Sequence, residues 1–571
     1  MILAIGATTA LFSVLNAVLL RSLPYREPDR LVHVLGNDPH DSRSGVSWRA
    51  FEVWRSENGP FSQIAAYYRN TGWSRVTIGG TEQPEAVQAG FTTASFFTTM
   101  GIFPALGRVF DEAEEHHREP VAVLSAALWQ RRFGRDPGMI GRTVEIDGRA
   151  FTVIGVMPRE FQFPARETQL WLPITTNRSW DDRPLRDGVH TRGYYMRWNV
   201  VGRLRSGATA GVASQYLERL KHQLASEDPD WNMGLAVKVV PLSIEVSGNA
   251  RLGLFVLFGS VCLVLLIACA NVANLILARG TARAREFSVR AALGATQSRM
   301  IRQILTESLL LATLSACGAV LLAQAAIRVL VQYGPPDLPR LDEATIDWTV
   351  VSFTLTVSIA AALFSGILPA LRAGRSDPND YLKSGGRTAT DSKALTRTGG
   401  VLIVSEFALA AVLLIACGLL MRSLHAVEGV PLGFSAENVL TAQIRVPDGT
   451  GAAQKAAFEQ QVLARLRSLP GVEFVGGIQS LFELGRPPEN SLRAVQDRSL
   501  NEHDRGALTW TTVSGEYFQA MSIPLLAGRY FSEHDTPNSP LVAIVDEAMV
   551  RRYWPNENPV GRRIKGQDER G

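Results

Sequence analysis

Carboxylates and imidazoles adjoin in Asp111-Glu112-Ala113-Glu114-Glu115-His116-His117, side chains that can hold a divalent ion or move a proton. Adjacent histidines on a charged run are more often a solvated loop than a metal site. Glu307 and Glu406 stand at the edges of apolar runs, and an acid inside a membrane is a functional candidate by default. Both are close enough to a run's end to reach water. The four cysteines, Cys262, Cys269, Cys317 and Cys417, all fall in apolar runs. Cys262 and Cys269 are seven apart and share a helix face, with no histidine or acid beside them. They read as small apolar packing residues. No Gly-Lys dipeptide occurs, so the chain lacks the loop that cradles nucleotide phosphates. A tethered enzyme would need a nucleophile–base pair or a metal set. We find none, and expect no catalytic, cofactor or metal site.

The remaining chemistry is positive charge. Arg279, Arg283, Glu286 and Arg290 recur at helical spacing as one polar stripe, with Phe287 and Leu293 on other faces. Arg285, Arg299 and Arg302 add to it. Gly294 is a natural helix stop and Thr296 can cap the next helix. A short arginine-rich helix suits docking to a soluble partner or to anionic lipid. The plainer alternative is an ordinary basic loop. Nucleic acid is not expected as a partner, because aromatic residues are sparse among these arginines and the runs abut membrane.

Five apolar runs, 2–20, 252–277, 308–333, 348–371 and 401–420, have the roughly 20-residue length that crosses a bilayer core. With 46% hydrophobic and 20% charged residues overall, the chain is too polar for a pure membrane bundle. The balance lies in two long regions, 21–251 and 421–571, each large enough for one or two folded domains. Segments 279–307 and 372–400 are short, basic and flank runs. The positive-inside rule places them in the cytoplasm, and 21–251, 334–347 and 421–571 outside. The run 2–20 lacks a basic leader and a cleavage site, and reads as a retained span.

The exported regions read as mixed α and β. Thr143–Ile146 and 151–156 flank Asp147-Gly148, a hairpin signal. Residues 120–125 form a strand, Ala126–Phe133 a helix, 208–227 an amphipathic helix and 235–246 a closing strand. In the second region 452–469 is helical and 472–477 a strand, and Val439 and Leu440 are strand-type residues entering the domain.

The two regions are copies. Ser95-Phe96-Phe97-Thr98-Thr99-Met100-Gly101-Ile102-Phe103-Pro104-Ala105-Leu106-Gly107-Arg108-Val109-Phe110 aligns without a gap, at an offset of 421, with Glu516-Tyr517-Phe518-Gln519-Ala520-Met521-Ser522-Ile523-Pro524-Leu525-Leu526-Ala527-Gly528-Arg529-Tyr530-Phe531. Leu20-Arg21-Ser22-Leu23 also pairs, at an offset of 401, with Met421-Arg422-Ser423-Leu424. Duplicated units of span plus domain are typical of transport machinery. Residues 91–133 and 512–554 should share one structure.

These residues carry a resemblance. Phe12-Ser13-Val14-Leu15-Asn16-Ala17-Val18-Leu19-Leu20-Arg21-Ser22-Leu23-Pro24-Tyr25, and Asn271-Val272-Ala273-Asn274-Leu275 followed by Arg283-Ala284-Arg285-Glu286-Phe287-Ser288-Val289-Arg290-Ala291-Ala292-Leu293-Gly294-Ala295, resemble the MacB/FtsX-type permeases of ABC transporters. More narrowly, they resemble the large duplicated permeases common in acidobacteria. The resemblance implies α-helical transmembrane segments plus α+β extracytoplasmic domains of the MacB-like periplasmic core type. It implies span 2–20, core domain 21–251, an FtsX-like permease domain with three spans over 252–371, a cytoplasmic linker 372–400, span 401–420, and a second core domain over 421–571. That last domain is expected to be incomplete, with a full copy continuing past Gly571. The implied function is a non-catalytic permease subunit in a bacterial inner membrane, without a cofactor. Its partners would be a separate ABC ATPase subunit, the lipid bilayer and an extracytoplasmic protein. The segment with Arg279, Arg283, Arg285, Glu286, Arg290 and Gly294 would be the ATPase-coupling segment. Leu382-Lys383-Ser384-Gly385-Gly386-Arg387 echoes the signature loop of ABC ATPases but lacks its following glutamine. A scaffold that regulates an extracytoplasmic hydrolase without transport is the alternative.

Overall fold

The computed structural model describes all residues except 39–40, 47, 58, 69–73, 81–82, 178–197, 228–235, 249, 283–296, 336–337, 374–388, 445–450, 479–493, 496–497, 500–510, 533, 536–538 and 566–571. Two compact units emerge, Met1–Ser22 with Val246–Val430, and Leu23–Glu245 with Pro431–Gly571.

The first unit is helical. Its long helices are Ile2–Leu15, Ala250–Ala282, Gln297–Tyr333, Trp348–Ala373 and Ala389–Glu428. Among the described residues, four stretches are long and apolar enough to cross a membrane: Ile2–Leu20, Ala250–Leu275, Leu309–Tyr333 and Ile403–Glu428. Trp348–Leu363 is a shorter apolar stretch within a 26-residue helix. Burial separates these helices. Of Ile2–Leu20, 56% is buried, against 0% of Ile403–Glu428, so the first helix forms the bundle's centre. Its small and hydroxyl residues explain this, since they let neighbouring backbones approach.

In the second unit, residues 23–245 form an α+β domain. Its strands are β1 (Leu31–Asp38), β2 (Asp41–Ser44), β3 (Phe61–Tyr68), β4 (Arg75–Ile78), β5 (Glu85–Thr92), β6 (Leu106–Gly107), β7 (Val121–Leu124), β8 (Thr143–Ile146), β9 (Arg149–Val156), β10 (Thr168–Pro173), β11 (Asn199–Leu204) and β12 (Ala236–Pro241). Their order is β10-β7-β9-β8-β4-β5-β3-β11-β1-β12. β10 also pairs with β5, so the strands from β10 round to β5 close on themselves. β7–β9 and β5–β10 are parallel. The β8–β9 hairpin turns through Asp147 (φ 48°) and Gly148 (φ 73°), the two left-handed residues a tight hairpin demands. Period-two burial drives the packing: Val76, Ile78, Val144 and Ile146 point into the core. A second, aromatic cluster joins Tyr67, Phe96, Phe97, Phe161, Phe163 and Trp171. The buried Trp171 Nε1–H donates to the Phe163 carbonyl at 2.9 Å.

The second copy repeats the local geometry of the first, atom for atom in places. Arg108 grips Glu114 through two bonds of 2.7 and 2.6 Å, and Arg529 grips Asp535 through two of 2.7 and 2.6 Å. The Asp111 N–H donates to Glu114 at 3.0 Å, and the Ser532 N–H to Asp535 at 2.8 Å. Gly101 and Ser522 are both left-handed, as are Gly107 and Gly528. Ser125 caps helix Ala126–Phe133 by accepting the Leu128 N–H, as Asp546 caps Glu547–Tyr553 by accepting the Met549 N–H. All these pairs keep the 421 offset.

Strand pairing is where the copies part. β7 is fully buried between β9 and β10. Its counterpart, 542–545, is in no strand, and Val542 is 48% exposed. Val439 and Leu440 form no strand either, and Leu440 is 95% exposed. β1, by contrast, is held between β11 and β12. At the 421 offset the counterparts of β9, β10, β11 and β12 fall at position 570 or later, and an apolar segment without a partner gains no ladder hydrogen bonds. Two further corrections concern element limits. The strand expected over 235–246 ends at Pro241, where helix Leu242–Ser247 begins. The one expected over 472–477 is confined to Gly476–Ile478, paired with Val513–Gly515.

Two adjacent glutamates should respond to pH with opposite sign. Hydrogen bonds from Arg108 hold the Glu114 carboxyl below the usual range. Folded, it binds fewer protons than unfolded, so its contribution is present above the ordinary carboxylate range and is lost as pH falls. Burial pushes Glu115 up, although its carboxylate accepts the Ala94 N–H at 2.6 Å. Its contribution is full below the ordinary range and is lost as pH rises through the raised value. Glu114→Gln should cost about 1 kcal/mol at neutral pH, since Arg108 is half exposed, and progressively less towards about pH 3. Glu115→Gln should be neutral or stabilising at neutral pH, with that advantage gone in acid. Thermal unfolding across pH checks both; a Glu115→Gln variant that loses stability only at neutral pH would contradict the burial assignment.

Candidate functional site in the membrane helix bundle

The first helix is fixed by close packing and by hydroxyl contacts. A Cβ at Gly6 would lie 2.7 Å from Leu322 Cδ2, and one at Gly318 would lie 3.0 Å from Ile2 Cδ1. These two glycines let Ile2–Leu15 and Gln297–Tyr333 approach closely. Two further glycines, Gly253 and Gly259, lie on helix Ala250–Ala282. A Cβ at either meets no described atom within 4 Å.

On the adjoining face, Phe12 stacks on Phe353 at 3.7 Å between centroids, with Phe258 tilted 6.4 Å away. Thr9 and Thr354 share a buried hydroxyl hydrogen bond of 3.1 Å. Ser13 Oγ donates to the Thr345 carbonyl at 2.9 Å, and Asn16 Nδ2 to Asp347 at 3.4 Å. Asp347 in turn accepts the Val350 N–H at 2.9 Å, capping Trp348–Ala373.

The end of the first helix widens into a π turn, Asn16–Leu20, a feature that recurs at functional positions. Arg340 holds the chain just beyond it. Its guanidinium donates to the carbonyls of Arg21 (2.8 Å) and Ser22 (3.3 Å) and pairs with Glu343 at 2.8 Å. Tyr333 and Trp348 stand beside this loop, 77% and 81% exposed. Exposed aromatic rings at the ends of apolar helices mark the membrane–water interface. Sequence reasoning missed the Arg340 clamp. Its only signal was the proline- and charge-rich loop 334–347.

The arginine segment is described in part. Arg279 lies in the last turn of Ala250–Ala282, while Arg299 and Arg302 are exposed on Gln297–Tyr333. Arg283, Arg285, Glu286, Arg290 and Gly294 lie outside the described residues, as does the cap at Thr296. Glu406 is half-buried on Ala389–Glu428. The Asp111–His117 run is spent structurally: Asp111 and Glu114 form a capping box, and Glu115 takes the Ala94 N–H. Of the cysteines, Cys269 is buried, Cys262 half-buried, and Cys317 and Cys417 are exposed.

Two family models match. One, described as MacB-like periplasmic core domain, matches residues 1–220 and again 402–569, the two copies. The other, described as FtsX-like permease C-terminal, matches 258–378. The chain belongs to the MacB/FtsX-type ABC transporter permeases. It is similar to proteins called "Macrolide export ATP-binding/permease protein MacB". That of Burkholderia lata is 28% identical over 50% of this chain and 39% of its own length. That of Neisseria gonorrhoeae is 26% identical over 55% of this chain and 44% of its own. The chain therefore spans less than half the length of these relatives. Solved structures include the extracellular domain of a noncanonic ABC-type transporter, YknZ, from Gram-positive bacteria (13% identity, 37% of this chain, 99% of that one, TM-score 0.28). Another is the periplasmic region of MacB from Actinobacillus actinomycetemcomitans (15%, 37%, 88%, TM-score 0.28). As a member of this family, the chain is a bacterial membrane protein with α-helical membrane segments and an α+β periplasmic-type domain.

Proposed function

We propose that this permease is the non-catalytic membrane subunit of an ABC transporter, and that it couples ATP hydrolysis by a separate ATPase subunit to movement of its extracytoplasmic domains. The observation that carries this reading is an arginine-rich segment joining two apolar helices, within the FtsX-like match, in a chain without a Gly-Lys dipeptide. The relatives' names join ATP-binding and permease functions in one protein; here the ATP-binding part is assigned to a partner. Arg279, Arg283, Arg285, Glu286, Arg290 and Gly294 form the proposed coupling segment. The proposed setting is the inner membrane with five spans, the arginine segments inside and both large domains outside.

Reconstitution tests the division of labour. The purified chain should hydrolyse no ATP by itself, and adding its cognate ATPase should give an assembly whose hydrolysis responds to the permease. Hydrolysis by the permease alone, or an ATPase indifferent to it, would sink the proposal. Orientation is tested separately. Impermeant thiol reagents should label Ser44→Cys and Ser435→Cys from outside and leave Ser384→Cys protected. The reverse pattern would invert the topology.

A further inference from the structure

A loop with an exposed aromatic tip follows helix Ser95–Met100. Phe103 is 74% exposed, between the half-buried Ile102 and Pro104. One exposed apolar side chain needs no explanation. Here the feature occurs twice. At the 421 offset Phe103 falls on Pro524, which is exposed, and two residues further on Leu526 is 77% exposed.

The base of each tip meets the chain a few residues past a membrane-length helix. A Cβ at Gly101 would lie 2.7 Å from Arg26 Cβ, and Arg26 follows Leu20, the end of the first apolar stretch, by six residues. In the second copy the Ser435 N–H donates to the Met521 carbonyl at 3.0 Å, and Ser435 follows Glu428, the end of another such helix, by seven. A tether that short reaches about 20–25 Å even fully extended. Both tips are thus joined to a membrane-length helix by a short tether. A cationic group accompanies the first: Arg26 is exposed, suited to a lipid phosphate, whereas Arg30 is paired with Glu27 at 2.8 Å. Exposed Val430 and Leu432 accompany the second.

We propose that loops 102–104 and 524–526 insert into the interface of the leaflet where the chain leaves the membrane, with Phe103 and Leu526 as apolar anchors. The surface is continuous with the chain's own membrane attachment, and its occupant is lipid. This rests on membrane residence and not on ATPase coupling. The anchors would hold the base of each copy against the leaflet while its other elements remain free to move.

Photo-crosslinking of the full chain in lipid nanodiscs tests this, with p-benzoylphenylalanine replacing Phe103 or Leu526. The control replaces Val212, which is 54% exposed on helix Ala210–Glu227. Phospholipid adducts should exceed the control by about tenfold, the bias expected when one large apolar side chain leaves water. Protein adducts at the tips, or lipid adducts no more frequent than at the control, would overturn the proposal. Phe103→Trp offers a second readout with a ring that fits the loop. It should add fluorescence that brominated lipid quenches, beyond that of the unsubstituted chain. No added quenchable signal would count against insertion.

Discussion

Gly107→Ala should destabilise the first extracytoplasmic domain by about 3 kcal/mol or more, and Gly528→Ala the second by only about 1 kcal/mol. Both glycines are left-handed, at φ 73° and 86°, so alanine meets the same backbone strain at each. Their surroundings differ. At Gly107 a Cβ would lie 2.2 Å from the Ile154 carbonyl oxygen and 3.0 Å from Gly155 Cα. Backbone, unlike a flexible side chain, cannot swing aside. The crossing is reciprocal, because a Cβ at Gly155 would lie 2.1 Å from the Arg108 carbonyl oxygen. Here β6 pairs with β9 through Leu106–Val156 and Gly107–Gly155, and alanine must part them. At Gly528 the nearest atom is Val560 Cγ2 at 3.6 Å, ordinary contact distance. Amide exchange over 149–156 and over 513–531 would resolve the two domains. Equal losses of protection would mean that the β6–β9 crossing is absent.

Charge reversal in the proposed coupling segment should have the other large effect. Arg285→Glu with Arg290→Glu should lower permease-stimulated ATPase activity by about tenfold or more, because like charges juxtaposed at an interface cost several kcal/mol. A charge-conserving pair, Arg285→Lys with Arg290→Lys, should retain most of the activity if net charge is what docks, and little if planar bidentate contacts do. Raised ionic strength should weaken the wild-type assembly, as exposed charge pairs are screened. Stimulated activity at the wild-type level in the doubly reversed variant would leave an ordinary basic loop as the better reading.

Local features were legible in the sequence. Apolar runs of membrane length became helices because a helix satisfies its own backbone over a few residues. Asp147-Gly148 became a hairpin turn because only such residues take two left-handed conformations readily. The ungapped repeat led to the expectation of a shared local structure, and the Gly101/Ser522 turn, the Arg108–Glu114 and Arg529–Asp535 grips, and the Ser125 and Asp546 caps recur in both copies. Each needs partners within about six residues, so a local repeat of sequence suffices to repeat it. The family was legible for the same reason, since its motifs are continuous in the chain.

Tertiary structure decided what depends on distant partners. Val121–Leu124 and 542–545 are nearly the same sequence, yet one is a buried strand and the other is in no strand. Only the first has β9 and β10 on its flanks. The segments' own residues do not differ enough to cause this; the partners do. The Arg340 clamp joins groups more than 300 positions apart, and the packing of Gly6 and Gly318 at the bundle's centre depends on a similar separation. Composition and spacing determine which hydrogen bonds a segment can make locally. Whether a strand is paired, a glycine crowded or a loop tip left bare depends on which remote backbone arrives beside it.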